Sequence, residues 1–476
     1  MRQPWPDPGD IEQFGPRPGP RLAVTTRVHT SASHRERHFT QALHAPAERP
    51  SLSPRQKIME ALLLVFHDPI PKECLRLETL SRREWRYALH WLDVSGLALY
   101  FLDRLEQQSL CRLLPVEALH GLRRNLADNT ARIAALWDEW AAISRDFEAA
   151  GLACATLKGF SLGRFSVPRP ELRSQLDLDF LIAERSAPEA RRILESRGFR
   201  LSAIHGRSWE FAAHDTQPLS LRDLYKPVPH RYVELHVESG PSPLLDRVEM
   251  RRFHDLVAPV LHPVDLFLGQ GLHVYKHLLH EMGRASHVIE FRRHVIARRN
   301  DAAFWRELRA VGELHPSGPL GLGVVIALTT RILGRFAPEA LTCWTVDRLP
   351  PAIRTWAETC SHHAILLDSP SKLYLVLLEA LAKSGIPQQK SIRRRLAPYA
   401  IPSLSVPAKP GENPEAHRRR TWQHLRSLVG RAGFHIVEDV RYLRESRRWR
   451  KAVPRETRDD ESSHAAEVHG ALIRRF

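Results

Sequence analysis

The chain has little cysteine. Its five cysteines (Cys74, Cys111, Cys154, Cys343 and Cys360) are scattered without a C-x-x-C pair, which excludes a zinc ribbon and argues against a disulfide framework. A reducing cytoplasm is the compartment this pattern leads one to expect. Long apolar runs are also missing. A membrane helix needs about 20 such residues, and the best candidate, Leu320 to Leu333, is interrupted by Gly323 and Arg331. The opening MRQPWPDPGD carries no apolar segment, so no secretory signal is expected. There is no G-x-S-x-G to suggest a serine hydrolase and no H-E-x-x-H. The glycines 318, 321 and 323 do not follow a strand, so they form no dinucleotide fingerprint. Positive charge, by contrast, is abundant: the formal net charge is +16. That balance suits nucleotides, nucleic acid or acidic lipid. Arginine far outnumbers lysine and much of the excess lies toward the two ends, so solubility and charged tails explain it equally well.

The 476 residues, 43% hydrophobic and 26% charged, are enough for two or three structural units with a sizeable core. Residues 1–50 are rich in Pro, Arg, Thr and His without apolar periodicity, and read as a disordered tail. Helical periodicity starts at Ser53-Pro54, an N-cap followed by Pro at the first helical position, and Ile58, Leu62, Val65 and Phe66 share a face. Further helices are expected over 81–92, 97–107 and 115–127, with another through Ile133, Trp140 and Phe147. Residues 51–150 are thus a helical region. The texture changes over 151–240, where strand patterns at 152–157, 176–182, 199–204, 209–213 and 232–237 surround a helix at 187–195. Helical periodicity is expected again over 241–397. Residues 398–476 read as a Pro/Ser linker and a basic helical tail, whose run from Arg444 to Lys451 suits nucleic acid or an acidic membrane as well as plain solvation.

In LDLDFLI the alternation places Asp177 and Asp179 on one face and Leu178 and Phe180 on the other, with the two acidic Cα atoms about 7 Å apart. Two neighbouring carboxylates repel, and each raises the other's pKa. A divalent cation relieves that repulsion, and Mg²⁺ or Mn²⁺ favours such oxygen ligands. A third carboxylate on a neighbouring strand would complete the site. Glu234, in the alternating stretch YVELHV, is the best candidate, with His236 on the same face. A D-x-D pair alone also fits a solvated strand face.

The context adds more. LKGFSLGRF, LRSQLDLDFLI and VELHV together resemble the polymerase-β-like nucleotidyltransferase superfamily. They look most like a bacterial family of uncharacterised nucleotidyltransferases with the elements LKG, R-x-x-x-D-[IL]-D-L-L-V, E-L-H and H-x-x-K-H. Lys158, Gly159, Arg173, Asp177, Asp179, Glu234, Leu235 and His236 fall on those positions, and HVYKH (273–277) on the last. The resemblance implies an α+β fold, a mixed-sheet core flanked by helical regions. It implies Mg²⁺ or Mn²⁺ held by Asp177, Asp179 and Glu234. A nucleoside triphosphate would meet Lys158, Gly159, Arg173 and Ser174, and His236 would orient the carboxylates from behind. The activity implied is transfer of a nucleoside monophosphate group to an unspecified acceptor: a protein, a metabolite, a sugar or RNA. Two departures matter. Lys158-Gly159 stands where the superfamily has Gly-Ser, and Leu176 where this family often has Gly. Those changes put the backbone contacts to phosphate in question.

Two further readings follow from the residues. His273, His277 and His280 have a spacing on one helix that can bind zinc, but a helix face packed on the core explains them more simply. The alternative to a catalyst is an inactive protein of this fold that binds nucleic acid or another anion through its basic tail.

Overall fold

The computed structural model describes residues 52–214, 220–227, 231–240, 242–281, 283–387, 392–396, 406 and 413–454. The expected N-terminal tail and most of the Pro/Ser linker lie outside these residues. The first helix, α1 (Pro54–Leu64), starts as anticipated: Ser53 caps it with Gln56 in a reciprocal capping box, and Pro54 occupies the first turn. A second capping box, Ser81 with Glu84, starts α2 (Arg82–Ser95), which ends on Gly96 in the left-handed region. Helix α3 (Ala98–Gln107) buries all its residues but Arg104, Glu106 and Gln107.

Helix α4 (Val116–Ala149) is a single rod of 34 residues, not the two helices expected from sequence. Asn129 is a residue that usually competes with helix backbone. Here its amide donates instead to the carbonyls of Glu171 and Arg173, at 2.7 and 3.1 Å. The helix runs on, and Asn129 pins the loop that leads into the D-x-D strand.

The sheet has seven strands in the order β3-β4-β5-β2-β1-β7-β6. They are β1 (Cys154–Thr156), β2 (Asp177–Ala183), β3 (Phe199–His205), β4 (Ser208–Ala213), β5 (Tyr232–Glu238), β6 (Glu249–Phe253) and β7 (Leu256–Val260). Helix α5 (Ala187–Ser196) connects β2 to β3. The five strands expected from sequence are present, and β6 and β7 add a hairpin in a stretch expected to be helical. Its turn lacks the usual glycine signal; His254 itself takes the left-handed conformation, with φ of 51°. Strand β2 pairs parallel with β5 and antiparallel with β1. One face of the sheet, with Leu178, Phe180, Val233 and Leu235, packs on Trp140 and Phe147 of α4 and Leu194 of α5.

The remaining helices include α6 (Pro263–Leu278), α7 (Ala285–Ala297), α8 (Ala302–Leu314), α9 (Gly318–Leu333), α10 (Pro351–Ile365), α11 (Tyr374–Lys383) and α12 (Pro414–Ala452). The first three helices and α6 to α11 share one large apolar core. Trp449 of α12 is buried in it and donates its indole N–H to the Ala352 carbonyl at 3.1 Å. No helix among the described residues is long and apolar enough to cross a membrane.

Asp93 of α2 accepts a hydrogen bond from Tyr225, in the β4–β5 connection, at 2.9 Å. Burial raises its carboxyl from 3.8 to about 6, outweighing that bond. A raised carboxyl pKa means stability from this group that is complete below pH 3.8 and lost as pH rises through 6. Asp93→Asn keeps the acceptor and removes the charge. Urea melts should show it more stable than wild type by about 1–2 kcal/mol near pH 8, with the gap closing near pH 4.

Candidate active site

The polar face of the sheet carries the site. Parallel pairing sets Asp179 directly beside Glu234 and Asp177 beside Tyr232, so their side chains share a face. His236 stands one alternation further on. Strand β4 lies across β5 with Glu210 opposite Glu234 and Ser208 opposite His236. The Ser208 hydroxyl donates to Glu234. Sequence reasoning passed over Ser208, which carries no motif and reaches the site only through strand pairing.

The chain leaves β1 at Thr156 and turns at Gly159, so that Lys158 points back across β2. Its ammonium donates to Asp179 Oδ1 at 2.9 Å. His236 Nε2 lies 3.2 Å from the same oxygen and 3.5 Å from Glu234 Oε2. Asp179 is nearly enclosed. Burial alone would raise its pKa, but the hydrogen bonds from His236 and Lys158 hold it well below the usual carboxylate range. Glu234 is lowered chiefly by its hydrogen bond to His236. Burial works against the charged form of His236, yet its two carboxylate partners lift it to about 9. Asp177 is the exception: burial first, and the charge of Asp179 second, raise it to about 6. The face thus holds one carboxylate whose ionised form is disfavoured by burial and by a like charge beside it.

Gly159 has φ of 61°, and a Cβ there would lie 2.3 Å from Gln175 Nε2. That amide is buried and donates to the Asp177 carbonyl at 2.9 Å. Gly159→Ala is expected to cost about 2–3 kcal/mol, combining the left-handed backbone with a displaced Gln175. Chemical denaturation would read the loss. The segment that begins at Gly159 is a 3₁₀ turn, Gly159–Leu162. A turn this short contributes little of a helix dipole, so Lys158 itself supplies the local positive charge.

Arg173, expected at the triphosphate or on Asp177, donates through Nε to Glu290 of α7 at 3.2 Å, and feels both aspartates at longer range. Tyr100 of α3 donates to the same Glu290 oxygen at 2.9 Å. Ser174 is half-buried in the segment between Arg173 and Gln175. Arg132 of α4 fixes that segment by donating to the Gln175 carbonyl at 3.1 Å. Arg284 lies in electrostatic reach of Asp177. Glu290, Arg132 and Arg284 went unnoticed in the sequence because each comes from a helix distant along the chain.

Asp179, Glu234 and His236 each offer a ligand atom, all within 4.8 Å of one another. Two of these donors are hard oxygens, the Asp177 carboxylate shares their face, and this chemistry fits Mg²⁺ or Mn²⁺. A second group of the same kind, His273, His277 and His287, lies on α6 and α7. No curated protein matches the chain. Residues 81–321 match the model of a family described as uncharacterised nucleotidyltransferases. That span is 241 of the 476 residues and contains all seven strands and every site residue named above. The chain therefore belongs to this nucleotidyltransferase family.

Proposed function

We propose that the protein transfers a nucleoside monophosphate group from a nucleoside triphosphate to a hydroxyl or phosphate acceptor, in a reaction that depends on Mg²⁺ or Mn²⁺. The observation that carries this reading is the register of β2 on β5, which aligns Asp179 with Glu234 and keeps Asp177 on the same face. Asp177, Asp179 and Glu234 would hold the metal. Bound there, it would neutralise triphosphate oxygens and charge developing on the reacting phosphorus.

The side chains do the rest. Lys158 exchanges Asp179 for a phosphate oxygen when the nucleotide enters, and Arg173, steadied by Glu290, adds a second cation nearby. Gly159 and Ser174 line the approach of the phosphates with backbone. Glu234 is placed to accept the proton of the acceptor hydroxyl. The acceptor oxygen then bonds to the α-phosphorus as the bond to the pyrophosphate oxygen breaks. His236 keeps Asp179 and Glu234 oriented from behind.

One observation favours a second reading. Lys158 and His236 already neutralise Asp179 from within the protein, as they would in an inactive member that binds nucleic acid or another anion through its basic tail. Calorimetric titration of the four NTPs with Mg²⁺ or Mn²⁺ separates the two. Binding that needs the metal and disappears in Asp177→Ala/Asp179→Ala supports the catalyst. Equal binding by both proteins, or none by a well-folded wild type, leaves the anion-binding reading, which further predicts affinity falling steeply with salt.

A further inference from the structure

We propose that His273, His277 and His287 form a separate binding site for a transition-metal dication, with Zn²⁺ the ion their chemistry fits best. His273 and His277 lie one turn apart on α6, and His287 reaches them from α7. The three rings make a closed triangle. Their centroids are 4.5 Å apart for His273 and His277, and 5.1 Å from each of these to His287. His280, the third histidine of the sequence pattern, is not a member. It is exposed, and its Nδ1 lies against the Lys276 carbonyl at 2.6 Å.

The distances suit coordination. His273 Nε2 and His277 Nε2 are 3.1 Å apart. Two nitrogens on a tetrahedral zinc, each bonded at about 2.0–2.1 Å, stand about 3.3 Å apart. One edge of the tetrahedron is therefore nearly formed. The third ligand atom lies within 4.8 Å of the other two, a gap that a modest ring rotation closes. His287 Nδ1 is buried and has no hydrogen-bond partner, which is costly for a polar atom that nothing else engages. Three imidazole nitrogens without a carboxylate select Zn²⁺ or Co²⁺ over Mg²⁺. Burial, reinforced by the Lys158 charge, keeps His273 in the neutral form that ligates.

Three protein donors leave a fourth position open, as in catalytic rather than structural zinc sites. Lys158, Arg173 and the oppositely charged Asp179 lie within electrostatic reach of His273, and Arg173 and Arg284 within reach of His287, so cations predominate. These cations disfavour a bare dication and favour an anion at the open position. Hydroxide and a phosphate oxygen are the candidates. The site stands whether or not the chain transfers nucleotides, since none of its ligands belongs to the carboxylate face.

Titration of the metal-free full chain with Co²⁺ alone, followed by visible absorption, tests this. One equivalent is expected to give the strong bands of four-coordinate cobalt without a thiolate charge-transfer band. Zn²⁺ should displace it and Mg²⁺ should not. His277→Gln and His287→Ala should each weaken binding on the order of 100-fold, while Asp177→Asn should keep it. A spectrum retained by both histidine variants but lost in Asp177→Asn would send the ion to the carboxylate face and overturn the proposal. Binding unchanged in all three would mark the ion as adventitious and overturn it equally. Should the histidine variants fail to fold, the wild type decides. Weak six-coordinate bands, or no spectral change, overturn the site.

Discussion

Asp179→Asn is expected to lose metal-dependent NTP binding and also to destabilise the free protein by about 3 kcal/mol, whereas Asp177→Asn is expected to lose binding alone. The two aspartates share one strand and one face, but their surroundings differ. Asp179 is 4% exposed and is the common partner of Lys158 and His236. Removing its charge strands two partly buried cations, and breaking a buried pair from one side costs about 3–5 kcal/mol. The lower end applies because Lys158 and His236 are each 30% exposed. Burial and the charge of Asp179 disfavour the ionised form of Asp177, so an uncharged amide of the same shape relieves repulsion. Urea unfolding without metal should therefore rank Asp177→Asn at or above wild type and Asp179→Asn well below it. Calorimetry should find both unable to bind NTP with Mg²⁺. Equal stability losses would mean that the ion pairs on Asp179 contribute little in solution.

The second large effect is expected at Glu290, far in sequence from any motif. It is 3% exposed and accepts from both Arg173 and Tyr100. Glu290→Ala takes from the buried Arg173 guanidinium its hydrogen-bonded counter-charge and is expected to cost about 3–5 kcal/mol. Glu290→Gln should cost less, because it still accepts the Tyr100 hydroxyl. Replacing both partners, as Arg173→Met/Glu290→Leu, should recover much of the loss, since burying neither charge is often as stable as burying the pair. Denaturation of the three variants gives the ranking directly. If Glu290→Ala were no less stable than the double variant, the pair would be a bystander. Nucleotide affinity adds a separate readout: the double variant should be stable yet bind NTP weakly, because Arg173 is the cation steadied for the phosphates.

Much of this face was legible in the residues themselves. Alternation in LDLDFLI and YVELHV assigned Asp177, Asp179, Glu234 and His236 to one side and the aliphatic positions to the other, because side chains in a strand alternate whatever its neighbours are. Ser53 announced its helix through capping chemistry that is complete within four residues. Gly159 stood out beside Lys158, although its reason, the close approach of Gln175, was invisible. Other features misled. Helix α4 was expected as two helices, and what holds Asn129 within the single rod, the carbonyls of Glu171 and Arg173, lies outside the local sequence. The β6–β7 hairpin was missed because His254 takes the backbone conformation usually left to a glycine.

By itself, then, the sequence determined what depends on neighbours along the chain: periodicity, caps, and which side chains share a strand face. Tertiary structure alone decided what depends on pairing across distance. Asp179 meets His236 over a separation of 57 residues because β2 and β5 align in one parallel register, and a shift of one residue would turn Glu234 into the apolar core. In the same way His287 displaces His280 from the histidine cluster. The sequence spacing pointed to His280, but α6 ends at Leu278, and α7 brings His287 to the pair instead.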